Sequence, residues 1–174
     1  MVIARDDDTC FGILHSKFHE IWSLSKGGWH GAGNDPRYTP STTFETFPFP
    51  EGLTPNLPAA SYATEPHAQR IAAAAFRLNE LRNNWLYPAN MVERMPEVVT
   101  GYPDRVKPID AAADEVLRKR TLTNLYNERP AWLTNIHREL DQAVAAAYGW
   151  PIDISAEDAL AELFALNQSR QELV

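Results

Sequence analysis

The 174-residue sequence predicts a mainly α fold: a small mixed α/β piece at the N-terminal end, followed by a helical unit. Three observations carry this. Apolar residues recur at helical spacing in five separate segments. Between the first and second of them, residues 26–63 are dense in glycine, proline, threonine and aromatic residues, which favour loops and extended chain. A β-branched, apolar trio, "VIA" at 2–4, has the composition of a short strand.

The elements follow in order. "RDDDT" (5–9) reads as a turn or helix start, with Thr9 as the candidate N-cap. Phe11, Leu14, Phe18, Ile21 and Trp22 then share one face of a helix, whose other face shows His15, Ser16, His19, Glu20, Ser23 and Lys26. "KGGWHGAGNDP" (26–36) reads as a loop, because four glycines, an asparagine and a proline stop a helix. "RYTPSTTFETFPFP" (37–50) reads as extended chain, too rich in proline for a helix and too aromatic for a plain linker. A Pro-rich connector covers 51–63.

Residues 64–86 read as a long helix capped by Thr64, with a stripe of Ile71, Ala74, Ala75, Leu78, Leu81 and Trp85. Residues 88–110 read as a long connector anchored by Met91, Met95, Val98 and Val99. Three helices finish the chain. They cover 110–128, 129–150 (Trp132, Leu133, Ile136, Leu140, Val144 and Tyr148 on one face) and 155–168, the last with Ser155 as cap and Asp158 three residues on.

Composition narrows the function classes. Hydrophobic residues are 44% and charged residues 22%, as in ordinary folded domains. No apolar run approaches the roughly 18 residues that span a bilayer, so no membrane partner is expected. "MVIARDDDTC" has no apolar signal region, and the single cysteine, Cys10, cannot form an internal disulfide. The expected location is the cytoplasm. The net charge of −7 argues against a general nucleic-acid coat. The charge is uneven, however. Residues 131–174 hold two basic groups against seven acidic ones, a net of −5, which leaves −2 for the other 130 residues.

Catalytic signatures are absent. His15 and His19 stand one helical turn apart, but Ser16 occupies the place where a zinc-protease pattern needs glutamate. They read as a polar surface and not a metal site. Asp6, Asp7 and Asp8 read as a solvated turn, and His137, Arg138 and Asp141 as surface ion pairs. Cys10 reads as a small packed side chain beside Phe11. "NDPRY" (34–38) imitates the D-P-P-[YF] turn with which amino-methyltransferases hold a flipped base, but Arg37 replaces the second proline and no glycine-rich cofactor turn exists. Neither a P-loop nor a G-x-S-x-G motif occurs. No catalytic, cofactor or metal residue is therefore assigned. The surface with chemical character is 15–43. Lys17, Lys26 and Arg37 suit phosphates, His15, His19, His30 and Asn34 suit hydrogen bonds, and Trp29 and Tyr38 suit stacking.

Two long motifs give a resemblance. "IARDDD…FGILHSKFHEIWSL…GNDPRYTPSTTFETFPFPEG" is similar to the end of the target-recognition domain of MmeI-like adenine-specific DNA methyltransferases, single-chain enzymes of restriction–modification systems. "RTLTNLYNERPAWLTNIHRELDQAVAAAYGWP" is similar to their C-terminal helical domain. The resemblance implies a layout of 1–50 as the C-terminal part of a recognition domain, 51–63 as connector and 64–174 as helical domain. It implies double-stranded DNA as partner, with Arg37, Tyr38, Ser41, Thr42 and Thr43 nearer the DNA and Phe44, Phe47 and Phe49 packed inward. It also implies a methyltransferase domain or subunit that binds S-adenosylmethionine. That domain is missing here, so the chain is expected to be a shortened gene product, a small subunit or an excised piece, without methyltransferase activity of its own. Self-association through uncovered apolar surface at 1–50 is expected. A reading of another class stands beside this one: a protein–protein docking module for a separate methyltransferase or nuclease subunit, favoured by the acidic tail.

Overall fold

The computed structural model describes residues 5–30, 35–99 and 101–171. The expected strand at 2–4 lies outside the described residues. The fold is mainly α with a small mixed part, and the chain divides into two compact units. Unit 1 is Met1–Phe76 with His137–Val174, and unit 2 is Arg77–Ile136.

In unit 1 the first expected helix is two: α1 (Asp8–Leu14) and α2 (Lys17–Lys26). The cap of α1 is Asp7, not Thr9. The Asp7 side chain accepts the Cys10 N–H at 2.9 Å, while the Thr9 hydroxyl donates to the Ala68 carbonyl at 3.1 Å. The chain breaks at Ser16, which is extended and whose hydroxyl turns back onto the Ile13 carbonyl. The first N–H of α2, that of Lys17, donates to the Asp141 carboxylate at 2.8 Å. Asp141 thus serves as a cap for a helix 124 residues away.

The loop expected at 26–36 contains a short antiparallel ribbon. β1 (Gly28–His30) pairs with β2 (Asp35–Arg37), with Trp29 opposite Pro36. Proline is tolerated there because a two-stranded ribbon leaves one side of each strand unpaired. Extended chain expected next gives way to one helical turn, α3 (Pro40–Thr43), begun by proline at its first position.

The irregular stretch after α3 is fixed by side chains reaching back to its carbonyls. α4 (Pro66–Leu86), α7 (Ala131–Tyr148) and α8 (Ala156–Gln171) all contribute residues to unit 1. Tyr148 on α7 donates to the Pro48 carbonyl at 3.0 Å, and Asn167 and Arg170 on α8 donate to those of Thr46 and Phe49. Pro48 and Pro50 have no N–H to satisfy, so few backbone groups here need a partner. Phe47 and Phe49 are buried, as expected, and Phe44 is half-buried against Phe49.

Gly12 lets α1 approach α4 and α7 closely. A Cβ there would meet Ile71 Cγ2 at 2.7 Å, Ala75 Cβ at 3.0 Å and Leu140 Cδ1 at 3.2 Å. Alanine normally gains up to about 1 kcal/mol over glycine in a helix. Overpacking of this size costs about 1–3 kcal/mol, and Ala75 has no side-chain freedom with which to yield. Gly12→Ala is expected to lower stability in urea denaturation. A rise would mean that α1 sits further from α4 and α7 than described.

Unit 2 holds the rest of α4 and the start of α7, with Leu78, Val92, Leu125, Leu133 and Ile136 buried. The cap of α4 is Glu65, whose carboxylate accepts the Ala68 N–H, in place of the expected Thr64. The connector at 88–110 is an antiparallel hairpin, β3 (Val92–Met95) with β4 (Arg105–Pro108). Its anchor is Val92 at 8% exposure. Val98, at 94%, and Val99, at 57%, are exposed. The helix expected at 110–128 is also two, α5 (Ala111–Leu117) and α6 (Leu122–Glu128). Thr121 caps α6 by accepting the Asn124 N–H, and the Asn124 amide donates to the Lys119 carbonyl at 2.7 Å. These local bonds compete successfully with one continuous helix.

Candidate nucleic-acid interface

The break at Ser16 turns α2 relative to α1 and decides where the expected site residues fall. His19 is buried at 5% exposure, and not on the polar surface that its spacing suggests. Its Nε2 lies 3.0 Å from the Tyr38 hydroxyl, and its ring meets Phe47 edge-on. Nδ1 of His19 is buried with no hydrogen-bond partner. Burial, and secondarily the neighbouring His15, pushes the His19 pKa down to about 4, so the imidazole is neutral at pH 7. His15 is half-buried and stacked on Phe11 at 4.0 Å.

His15, His19 and Tyr38 line one open cleft of about 420 Å³ with Arg5, Cys10, Phe11 and Leu14. The last four were not marked as site residues by the sequence. Their i, i+4 pairing (Cys10 with Leu14, Phe11 with His15) was the available signal. Cys10 is buried, and burial pushes its thiol up to about 11. It is packed, as its composition suggested, and is no thiolate at neutral pH. Arg5 leads to a second cluster. Its guanidinium contacts Asp7 and the Tyr62 hydroxyl, which in turn donates to Asp7 at 3.0 Å. Burial opposes ionisation of Asp7, but the Cys10 N–H and the Arg5 and Tyr62 bonds outweigh it and hold the carboxyl below its ordinary value. Asp7 is therefore an internal cap and anchor, where a solvated turn was expected.

The cationic residues expected at the site, Lys17, Lys26 and Arg37, are not part of this cleft's lining. Lys17 Nζ donates to the Ile154 carbonyl at 3.0 Å and lies over the Phe18 ring. Lys26 Nζ lies over Trp22 and Phe164, at 5.1 and 4.5 Å from their centroids. Arg37, at the end of β2, and Thr42, on α3, are exposed, and Tyr38 between them is 39% exposed. Only the backbone of Trp29 and His30 is described, in β1, and Asn34 lies outside the described residues. Among the described residues, no group of three or more His, Cys, Asp or Glu side chains could hold a metal ion. No helix among them is long and apolar enough to cross a membrane.

No family model matches the chain, and no curated protein matches it. A solved structure does: the type IIL restriction-modification enzyme MmeI in complex with DNA, at a TM-score of 0.58 and 24% identity over 96% of this chain. The match spans 17% of that enzyme's chain. Across nearly its whole length, the protein shares the fold of one part of a restriction-modification enzyme.

Proposed function

We propose that this chain supplies the end of the target-recognition domain and the C-terminal helices of an adenine-specific DNA methyltransferase in a restriction–modification system. The carrying observation is the fold likeness to an enzyme solved on DNA, which follows 96% of the chain. In this reading residues 1–50 contact DNA, 51–63 connect and 64–174 form the helical domain. S-adenosylmethionine binds a methyltransferase domain or subunit elsewhere in the assembly, in the cytoplasm, and this chain holds no cofactor. Arg37, Tyr38 and Thr42 are the exposed contact candidates. The Lys17 and Lys26 ammonium groups are held by the Ile154 carbonyl and by aromatic rings.

Fluorescence anisotropy against mixed-sequence duplex DNA tests this. Binding is expected to fall steeply with salt, and Arg37→Ala to reduce the salt slope by about one charge. An absence of binding even at low salt sinks the reading. A second reading is favoured by charge. Unit 1 carries seven basic against fifteen acidic residues, a net of −8 that repels phosphate. As a docking module, the chain would ignore DNA and co-purify with a methyltransferase or nuclease subunit.

A further inference from the structure

The charge that unit 1 lacks is found in unit 2, which carries nine basic against eight acidic residues. Its basic groups concentrate around α6. Arg118, Lys119 and Arg120 form the turn before it and Arg129 follows it, against Glu128 alone within 118–129. The turn is firmly built. The Arg118, Lys119 and Arg120 N–H groups all donate to carbonyls of α5, and Asn124 and Thr121 close the other side. Arg120 points inward, donating to the Trp85 carbonyl and lying over the Trp85 ring. Arg118 shares its charge with Asp114 at 2.7 Å. Lys119 is exposed.

Arg129 stands at the other end of α6. It adopts φ 44°, ψ 60°, the left-handed conformation at the C-cap of α6, and is the one non-glycine residue with positive φ among those described. Glycine or asparagine normally fills this position, because a larger side chain is strained there. The Arg129 side chain is exposed at this end of α6. α6 itself is exposed almost all round, with only Leu125 of its seven residues buried. Its exposed residues between the two basic ends are Leu122, Thr123, Asn124, Tyr126, Asn127 and Glu128, of which Asn124 also braces the turn through the Lys119 carbonyl. Seven helical residues are about 10 Å long, short enough for both ends to meet the backbone of one duplex.

We infer that α6, bracketed by Lys119 and Arg129, is a DNA-backbone contact surface of unit 2. This rests on the DNA-binding reading above and adds a site outside residues 15–43. Its phosphate contacts are made by side chains, and they position the chain on duplex without reading sequence.

The test is salt-dependent anisotropy of the full chain on mixed-sequence duplex, with Lys119→Gln, Arg129→Gly, the double variant and Arg94→Gln, an exposed cation of β3 in the same unit. Each of the first two is expected to make the salt slope shallower by about one, and the double variant by about two. Arg94→Gln is expected to leave it unchanged. Arg129→Gly is also expected to raise the denaturation midpoint, since glycine relieves the backbone strain, so weaker binding cannot be blamed on misfolding. If the wild type binds DNA and both single variants keep its slope, the inference falls while the DNA-binding reading stands. An equal loss in Arg94→Gln reduces the effect to net charge and also overturns it. If the wild type binds no duplex at any salt, both fall together.

Discussion

Trp22→Ala is expected to cost about 3–5 kcal/mol of folding stability, the range for deleting a fully buried aromatic side chain. Trp22 has no exposed surface. Its ring meets Phe164 of α8 at 5.2 Å and Phe47 at 6.3 Å between centroids, and the Lys26 ammonium lies over it. Its indole N–H donates to the Thr46 hydroxyl at 3.3 Å. The substitution therefore opens a cavity between α2, α8 and the aromatic stretch after α3, and none of these can close it without giving up its other bonds. Trp22→Phe keeps most of the ring volume and should cost less than half as much. Urea denaturation followed by circular dichroism reads both, without relying on the fluorescence of the lost residue. A cost below about 1.5 kcal/mol for the alanine variant would show that this core is not packed as described.

The second large effect is a pH dependence. His19 has a folded pKa of about 4 against an ordinary value of 6.5. In the unfolded chain His19 takes up a proton as pH falls through 6.5, while the folded chain refuses it until about 4. Protonation thus favours the unfolded state in that window. The stability from a neutral, buried His19 is complete above pH 6.5 and is lost as pH falls towards 4. A shift of this size corresponds to roughly 3 kcal/mol. Asp7 does not confuse the measurement. Its folded pKa is depressed, so its contribution is present above its unfolded value of 3.8 and is lost only below it. His19→Gln should flatten the stability profile between pH 6.5 and 4. An unchanged slope in that variant would assign the titration to another group.

Helical spacing identified every long helix, because α4, α7 and α8 bury continuous stripes such as Ile71, Ala74, Ala75 and Leu78. The breaks were harder to read. Nothing between Phe11 and Trp22 disfavours one helix strongly, and the interruption at Ser16 depends on an acceptor 124 residues away. The break before α6 was more legible, since Thr121 and Asn124 have the spacing of a cap. The two hairpins escaped because glycine and proline were read as loop formers, while register is set by pairing that composition does not display. The site divides in the same way. Tyr38 and Thr42 could be marked by type, but the pairing of His19 with Tyr38, and the burial that neutralises His19, need the turn between α1 and α2.

The long-range cap on α2 also has a consequence in time. Lys17 waits for Asp141, and the carbonyls of Thr46 and Phe49 wait for Asn167 and Arg170, each 121 positions later. During synthesis the N-terminal third emerges well before the groups that complete it. Its aromatic segment is then an unfinished surface until α8 has been synthesised. Unit 1 therefore completes its folding only after α8 emerges, and deleting α8 should first loosen the segment around Thr46 and Phe49.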